Sequence, residues 1–344
     1  MPGDLPERTT GSLAIGAVLR LVRLYATLPR SVVFIGPTGV GKGYFARMLH
    51  REAGGRGEFV EITGGQLTES LLHSQLFGHE AGSFTGAQQR SKGAFERAAG
   101  GVLFLDEMQH WSKPVQCALL HVLGEEKFLP IGSKRELHVE CRTLFASTRP
   151  LEELVADGLL LPDLRWRLGL LEIAVPPLAT RRADILTLAD GFLEQARERF
   201  RIDRQMAFDS QVVVALLSHD WPGNLRELRC AVEYMAIHAD GAGSSCIGAD
   251  HLPPALSPPV PSLGGCALEL RQAAVAWMLG KTGGNRSEAA RRLGIHRNTV
   301  VRRVAGSRVP AGRIQDGIEA AAADRLVNEG ESQGLASDET AVRL

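Results

Sequence analysis

Apolar residues follow two different rhythms along this chain, and the change of rhythm divides it. Between residues 31 and 175, five short runs are apolar almost without alternation: SVVFI (31–35), FVEI (59–62), VLFL (102–105), CRTLFAS (141–147) and LLEIAV (170–175). A strand with one wet face alternates. Unbroken runs of this length suit strands covered on both faces, as in a parallel sheet flanked by helices. From 176 to 242 no comparable strand occurs, and Ile185, Leu188, Ala189, Phe192 and Leu193 recur at helical spacing, which predicts a small helical subdomain. Residues 243–265 read as a Pro/Gly linker, and residues 266–309 return to helix. Residues 310–344, rich in Ala, Gly, Glu and Asp, are expected to form a disordered acidic tail, while residues 1–30 are a short N-terminal segment.

Composition narrows the class. The 344 residues balance 39 Lys+Arg against 39 Asp+Glu at 44% hydrophobic content, which suits a soluble globular protein of two or three folding units. Arg20 and Arg23 interrupt the one apolar N-terminal stretch, and Asp4 and Glu7 sit where a secretory signal needs basic residues. Five scattered cysteines (Cys117, Cys141, Cys230, Cys246 and Cys266) form no CxxC pair. They read as reduced, partly buried thiols of a cytoplasmic protein rather than a disulfide framework or zinc site.

The candidate chemistry begins at GPTGVGKG: Gly36, Pro37, Thr38, Gly39, Val40, Gly41, Lys42 and Gly43. The segment follows the run 31–35 and opens a helical pattern with Phe45, Met48 and Leu49. A phosphate loop needs this strand–loop–helix context, so that backbone N–H groups and the helix N-terminus face phosphate while the lysine reaches the β- and γ-phosphates. Read without that context, it is a glycine-rich turn with an exposed lysine. Ser or Thr is expected after the lysine as a magnesium ligand, and Gly43 departs from this. The run VLFLDE (102–107) ends in two acids, of which Asp106 is placed to hold magnesium and Glu107 to orient an attacking water. Together the two motifs point to phosphoanhydride hydrolysis, with ATP and Mg2+ as cofactors.

Between these motifs lies LFGHEAGSFTGA (76–87), followed by RSKGAFERAAGGVLFLDE (90–107); further on come PPL (176–178), RRADI (181–185) and WPGNLREL (221–228). From about 30 to 240 the chain resembles the AAA+ domain of sigma-54-dependent transcriptional activators, the bacterial enhancer-binding proteins. The resemblance implies an α/β P-loop fold over 31–175 with a helical lid over 176–242. It makes Gly82, Ser83, Phe84, Thr85, Gly86 and Ala87 the loop that touches sigma-54, with Ser83 in place of the family's alanine. It makes Arg226 the second sensor, following Asn224 as a helix cap, and Ser147 and Thr148 the first. Arg167 matches one of two arginines that reach the neighbouring subunit's nucleotide, but Leu161 stands where the other belongs. Thr63 stands where an Asn gates the catalytic glutamate, and the family commonly carries Glu at position 43. Arg165 is an additional arginine that the resemblance leaves without a role.

The C-terminal segment reverses the impression of neutrality. Residues 266–309 carry nine basic side chains against Glu269 and Glu288, a net +7, whereas residues 310–344 carry −4. TGGNRSEAARRLGIHRNTVVRRV (282–304) reads as helix, glycine turn at Gly294 and second helix, with Ala289, Ala290, Leu293, Ile295 and Val300 spaced to pack the pair. It resembles a Fis-type helix-turn-helix. His296, Arg297, Asn298 and Thr299 would then lie near bases and Arg302 and Arg303 near phosphates.

The expected function is an ATP-dependent transcription activator. It would bind upstream DNA, assemble into a ring, alone or with a paralogue, and remodel sigma-54 RNA polymerase; no membrane is involved. The alternative is a DNA-binding regulator whose AAA+ domain is degenerate, as Gly43, Thr63 and Leu161 suggest. Residues 1–30 are expected to leave no room for a regulatory domain.

Overall fold

The computed structural model describes residues 12–64, 69–83, 87–256, 268–293, 295 and 300. Among them, five strands form one parallel sheet: β1 Val32–Ile35, β2 Phe59–Thr63, β3 Val102–Asp106, β4 Arg142–Ser147 and β5 Glu172–Ala174, in the order β2-β3-β4-β1-β5. The register sets Ile35 beside Ser147 and Thr63 beside Asp106, so the carboxyl ends of four strands meet along one edge. The helices are α1 Leu13–Ala26, α2 Lys42–Glu52, α3 Glu69–Phe77, α4 Ala94–Arg97, α5 Lys113–Glu125, α6 Leu151–Ala156, α7 Pro162–Leu168, α8 Arg182–Phe200, α9 Ser210–Ser218, α10 Asn224–Gly241, α11 Leu268–Lys281 and α12 Arg286–Arg292.

The three inner strands β3, β4 and β1 are covered on both faces, as their unbroken runs suggest, whereas the edge strands alternate, with Glu61 on β2 and Ala174 on β5 exposed. Val33, Leu103, Leu105 and Phe145 face a cluster completed by α3 to α7; Val32, Phe34, Phe104 and Leu144 face the other cluster with α1 and α2. Helix α1 lies inside the segment set apart as 1–30. Its Ile15, Val18, Val22 and Ala26 are buried at helical spacing, whereas Arg20 and Arg23 lie on the outer face. Arg142, at the start of β4, fastens the end of this helix by donating to the carbonyls of Tyr25 at 2.7 Å and Arg30 at 2.8 Å.

By its contacts the chain falls into two units, divided within α8 and α10: residues 14–182 with 220–231, and residues 183–219 with 232 onward. In the second unit the predicted stripe Ile185, Leu188, Ala189, Phe192 and Leu193 is buried on α8. Here α11 is fastened to α8 through one carboxylate, as Asp190 Oδ2 accepts from Trp277 Nε1 at 2.8 Å and pairs with Lys281 Nζ at 2.9 Å. Burial pushes the Asp190 carboxyl above its ordinary range, and Lys281 pulls it back. No helix among the described residues is long and apolar enough to cross a membrane.

The cysteine expectation needs correction. Cys117, Cys230 and Cys246 are exposed, because their helix and strand positions face outward; Cys141 is half-buried, its thiol pushed up to about 12 by desolvation. Cys266 and residues 310–344 lie outside the described residues.

Candidate functional site

The loop 36–41 leaves β1 and enters α2 through left-handed glycines, with Gly39 at φ 79° and Gly41 at φ 104°. Gly39 has a second reason to lack a side chain, since a β-carbon there would collide with the carbonyl oxygen of Gly223. The Lys42 ammonium lies within the loop, donating to the carbonyls of Gly36 at 2.8 Å and Pro37 at 3.3 Å. Desolvation lowers its pKa, and the charges of Asp106 and Glu107 oppose that shift while Arg226 adds to it. Asp106 shows the mirror pattern: burial raises its pKa, whereas Lys42, the Glu107 N–H and Arg226 favour the carboxylate. Lys42 and Asp106, from separate motifs, therefore each sense the charges of the other and of Glu107 and Arg226.

Glu107 adopts a left-handed backbone at φ 58°, and its N–H donates to Asp106 Oδ1 at 2.8 Å. Non-glycine residues adopt this conformation uncommonly, in turns or at strained positions, and Glu126, Arg201, Trp221 and Asn224 share it. Thr63 stands beside Asp106 in the sheet, yet among the described residues its hydroxyl makes no hydrogen bond to Glu107. Gly43 is not enforced by crowding, for a β-carbon there would meet Phe104 at 3.7 Å and Glu61 at 3.8 Å, ordinary contact distances. Ser147 is buried and engaged locally: its hydroxyl donates to the Arg149 carbonyl at 2.6 Å and accepts from the Arg149 N–H at 3.1 Å. Thr148, next to it, is half-buried.

Asn224 does something different from the helix capping expected of it. It is buried at φ 52°; its side-chain oxygen accepts from the Leu178 N–H at 2.8 Å and its amide donates to the Thr38 carbonyl at 3.0 Å. The Gly223 N–H is taken instead by the Glu227 carboxylate at 2.8 Å, which reaches back from the first turn of α10. Arg226 is exposed beside the loop, its β-carbon 3.3 Å from where a Gly39 side chain would begin. Arg181 was not singled out as a site residue from the sequence, although it lies within the RRADI segment. It is buried and donates to the Val40 carbonyl at 3.0 Å.

On α7 the arginines separate by partner. Arg165 is buried and pairs with Glu152 at 2.6 Å and Glu172 at 2.9 Å, which accounts for the arginine that had no role. Arg167 is exposed and runs along α5, one guanidinium nitrogen 3.2 Å from where a Gly124 β-carbon would sit. Trp166 is 73% and Leu170 75% exposed beside it. Leu161 packs half-buried against the core and gives its N–H to Gln116 at 2.9 Å.

The predicted contact loop is drawn together at its base. The Gly82 N–H donates to the Ala87 carbonyl at 2.7 Å, and below it Gly78–His79 pairs with Ser91–Lys92. Ser83 rests against Gly132, where an added β-carbon would approach it at 2.6 Å. Phe84, Thr85 and Gly86 lie outside the described residues. In the C-terminal helices, Asn285 caps α12, and Ala289, Ala290, Leu293 and Val300 are buried, with Ile295 half-buried. Glu288 binds Arg291 at 2.7 Å and Arg292 at 2.8 Å, so with Lys281 on Asp190 three of the nine cations are engaged among the described residues; the Glu288 bonds hold its carboxyl at about 2. Gly294, His296, Arg297, Asn298, Thr299, Arg302 and Arg303 lie outside the described residues.

Comparison with known proteins matches three family models in chain order: a sigma-54 interaction domain over residues 9–174, an AAA+ ATPase lid domain over 179–263, and a bacterial regulatory protein of the Fis family over 278–305. The nitrogen fixation protein VnfA of Azotobacter vinelandii is 38% identical over 315 residues, covering 85% of this chain and 58% of VnfA, so the chain spans little more than half of that relative. The transcriptional regulatory protein ZraR of Klebsiella oxytoca is 38% identical, covering 88% of this chain and 67% of ZraR. Among solved structures, NtrX from Brucella abortus in complex with ADP aligns with a TM-score of 0.65 at 30% identity, covering 89% of this chain and 70% of NtrX.

Proposed function

The chain belongs to the sigma-54-dependent transcriptional activators, and from that premise we propose that it is an ATPase that remodels sigma-54 RNA polymerase. Its C-terminal helices would bind upstream DNA, its copies would assemble into a ring, and the 82–87 loop would meet the polymerase. The reading rests above all on the convergence of Lys42, Asp106, Glu107 and Arg226 on one loop at the carboxyl edge of a parallel sheet.

In this reading the N–H groups of the loop and Lys42 hold the phosphates, and Glu107, aimed by its left-handed backbone, orients the attacking water. Magnesium fits the donor present, for the hard Asp106 carboxylate at the carboxyl edge of the sheet is the kind of ligand that holds an ion delivered on a nucleotide. Asp106 would hold it, and the ion would neutralise phosphate charge. Arg167 is exposed, with its guanidinium along α5 beside Gly124, and this accessibility supports its action on a neighbouring copy's nucleotide.

Gly43, Leu161 and Thr63, whose hydroxyl makes no hydrogen bond to Glu107 among the described residues, support the second reading, a DNA-binding regulator with weak or no ATPase. Steady-state ATP hydrolysis that disappears in Lys42→Ala separates the two. Thr85→Ala tests the polymerase contact: transcription from a sigma-54 promoter should be lost while hydrolysis persists. Unchanged promoter output would remove the loop from the mechanism.

A further inference from the structure

Three consecutive carbonyls of the phosphate loop are each held by a different donor. The Asn224 amide takes Thr38 at 3.0 Å, the Leu225 N–H takes Gly39 at 2.9 Å, and the Arg181 guanidinium takes Val40 at 3.0 Å. The donors themselves are fixed. Asn224 is 2% and Arg181 4% exposed, and the Asn224 oxygen is anchored on the Leu178 N–H at 2.8 Å. The turn that presents Asn224 and Leu225 carries two left-handed residues that are not glycine, Trp221 at φ 51° and Asn224 at φ 52°. Such conformations persist only where the surroundings impose them. Gly39 is pressed so closely on Gly223 that a side chain would not fit between them.

A trans peptide sets its C=O and the next N–H in opposite directions. Holding the carbonyls of residues 38, 39 and 40 on the outside therefore turns the N–H groups of residues 39, 40 and 41 to the inside. The Val40 N–H does point inward, toward the Pro37 carbonyl at 3.4 Å, on the side where the Lys42 ammonium also sits. The donor array that would meet phosphate is thus set from behind. We infer that Asn224 and Arg181 are positioning residues for the nucleotide site, fixing the phosphate loop by its outward carbonyls so that its inward N–H groups and Lys42 converge on the phosphates. This inference rests on the reading of residues 36–43 as a nucleotide site.

Asn224→Asp and Arg181→Met test it. Asn224→Asp keeps the acceptor for Leu178 and the tolerance for positive φ, but sets an oxygen against the Thr38 carbonyl. Arg181→Met removes the donor to Val40, and Arg181→Lys restores one. ADP and adenosine are titrated into the full chain, and the melting temperature of the unliganded protein is followed alongside. ADP affinity should fall about tenfold in both variants, as expected for one charge-assisted or buried hydrogen bond. Adenosine binding, which uses no phosphate contact, should hold, and Arg181→Lys should recover most of the loss. ADP affinity within twofold of the parent in both variants would overturn the inference. So would equal losses for ADP and adenosine with a lowered melting temperature, the mark of a structural role alone. Failure of the parent to bind ADP is a separate outcome, and it removes the nucleotide reading as well.

Discussion

The phosphate loop and the end of α7 both carry cations suited to phosphate, yet the chain treats them in opposite ways. Around the loop, Lys42 is buried, three carbonyls are tied from behind, and Asp106 and Glu107 lie within electrostatic reach. At the end of α7, Arg167 is exposed and has no ion-pair partner among the described residues, near the exposed Trp166 and Leu170. The contrast is not one of residue type, because Arg165 on the same helix is as firmly held as any group in the protein. One region is finished within a single chain and the other is left facing outward. That is the arrangement expected of a site whose two halves come from two copies.

The sharpest way to break this contrast is Arg167→Ala. Turnover should fall by about 10³, the scale of an arginine acting in trans on phosphoryl transfer, while ADP affinity stays near that of the parent. A matching loss of ADP affinity would place Arg167 in its own subunit's site. Arg165→Ala should do the reverse. Removing it leaves Glu172, already pushed above its ordinary pKa by burial, without its cation. Urea unfolding should register a loss of about 2 kcal/mol, below the cost of a fully buried pair because Glu152 is exposed. An unchanged midpoint would show that the pair is ornamental.

The smallest effect on stability is expected at Asp106. Burial raises its pKa, so the folded chain holds that proton more tightly than the unfolded chain. The resulting stability is full below the unfolded value near 4 and is lost as pH rises through the raised folded value. At neutral pH the carboxylate therefore costs stability. Asp106→Asn should melt about 2–4 °C higher at pH 7, equivalent to ~1 kcal/mol, with the gain closing toward pH 4 and hydrolysis abolished. A melting temperature that drops at pH 7 would mean that Lys42 more than compensates the burial.

What could be read from sequence follows the range of the forces involved. The five strands lie within a residue or two of their apolar runs, since burial writes itself locally into the chain. The same holds for Gly36 to Lys42, whose spacing is itself the structure. Helix α1 was harder to see because Arg20 and Arg23 break the apolar run when it is read as a line, although they lie off the buried stripe when it is read as a helix. Arg165 and Asn224 were out of reach for a different reason. Arg165 is explained by carboxylates on α6 and β5, and Asn224 by a carbonyl 186 residues away. No local pattern announces a buried polar side chain whose partners arrive only with the tertiary fold. The finger position shows the same limit from the other side: the sequence shows that Leu161 is not an arginine, and the structure shows what the leucine does instead, which is to close the core.

The short bond across the base of the 82–87 loop has a consequence for how such a protein can change. Gly82 and Ala87 are already joined there, which closes the loop at its base, and Ser83 inside it rests against Gly132. Doubling the length of a closed loop adds only about 0.6 kcal/mol of entropy, a small load for a core of this size. Rewriting residues 84–86 should therefore leave the melting temperature near that of the parent, because the change is charged to chain entropy and not to core packing.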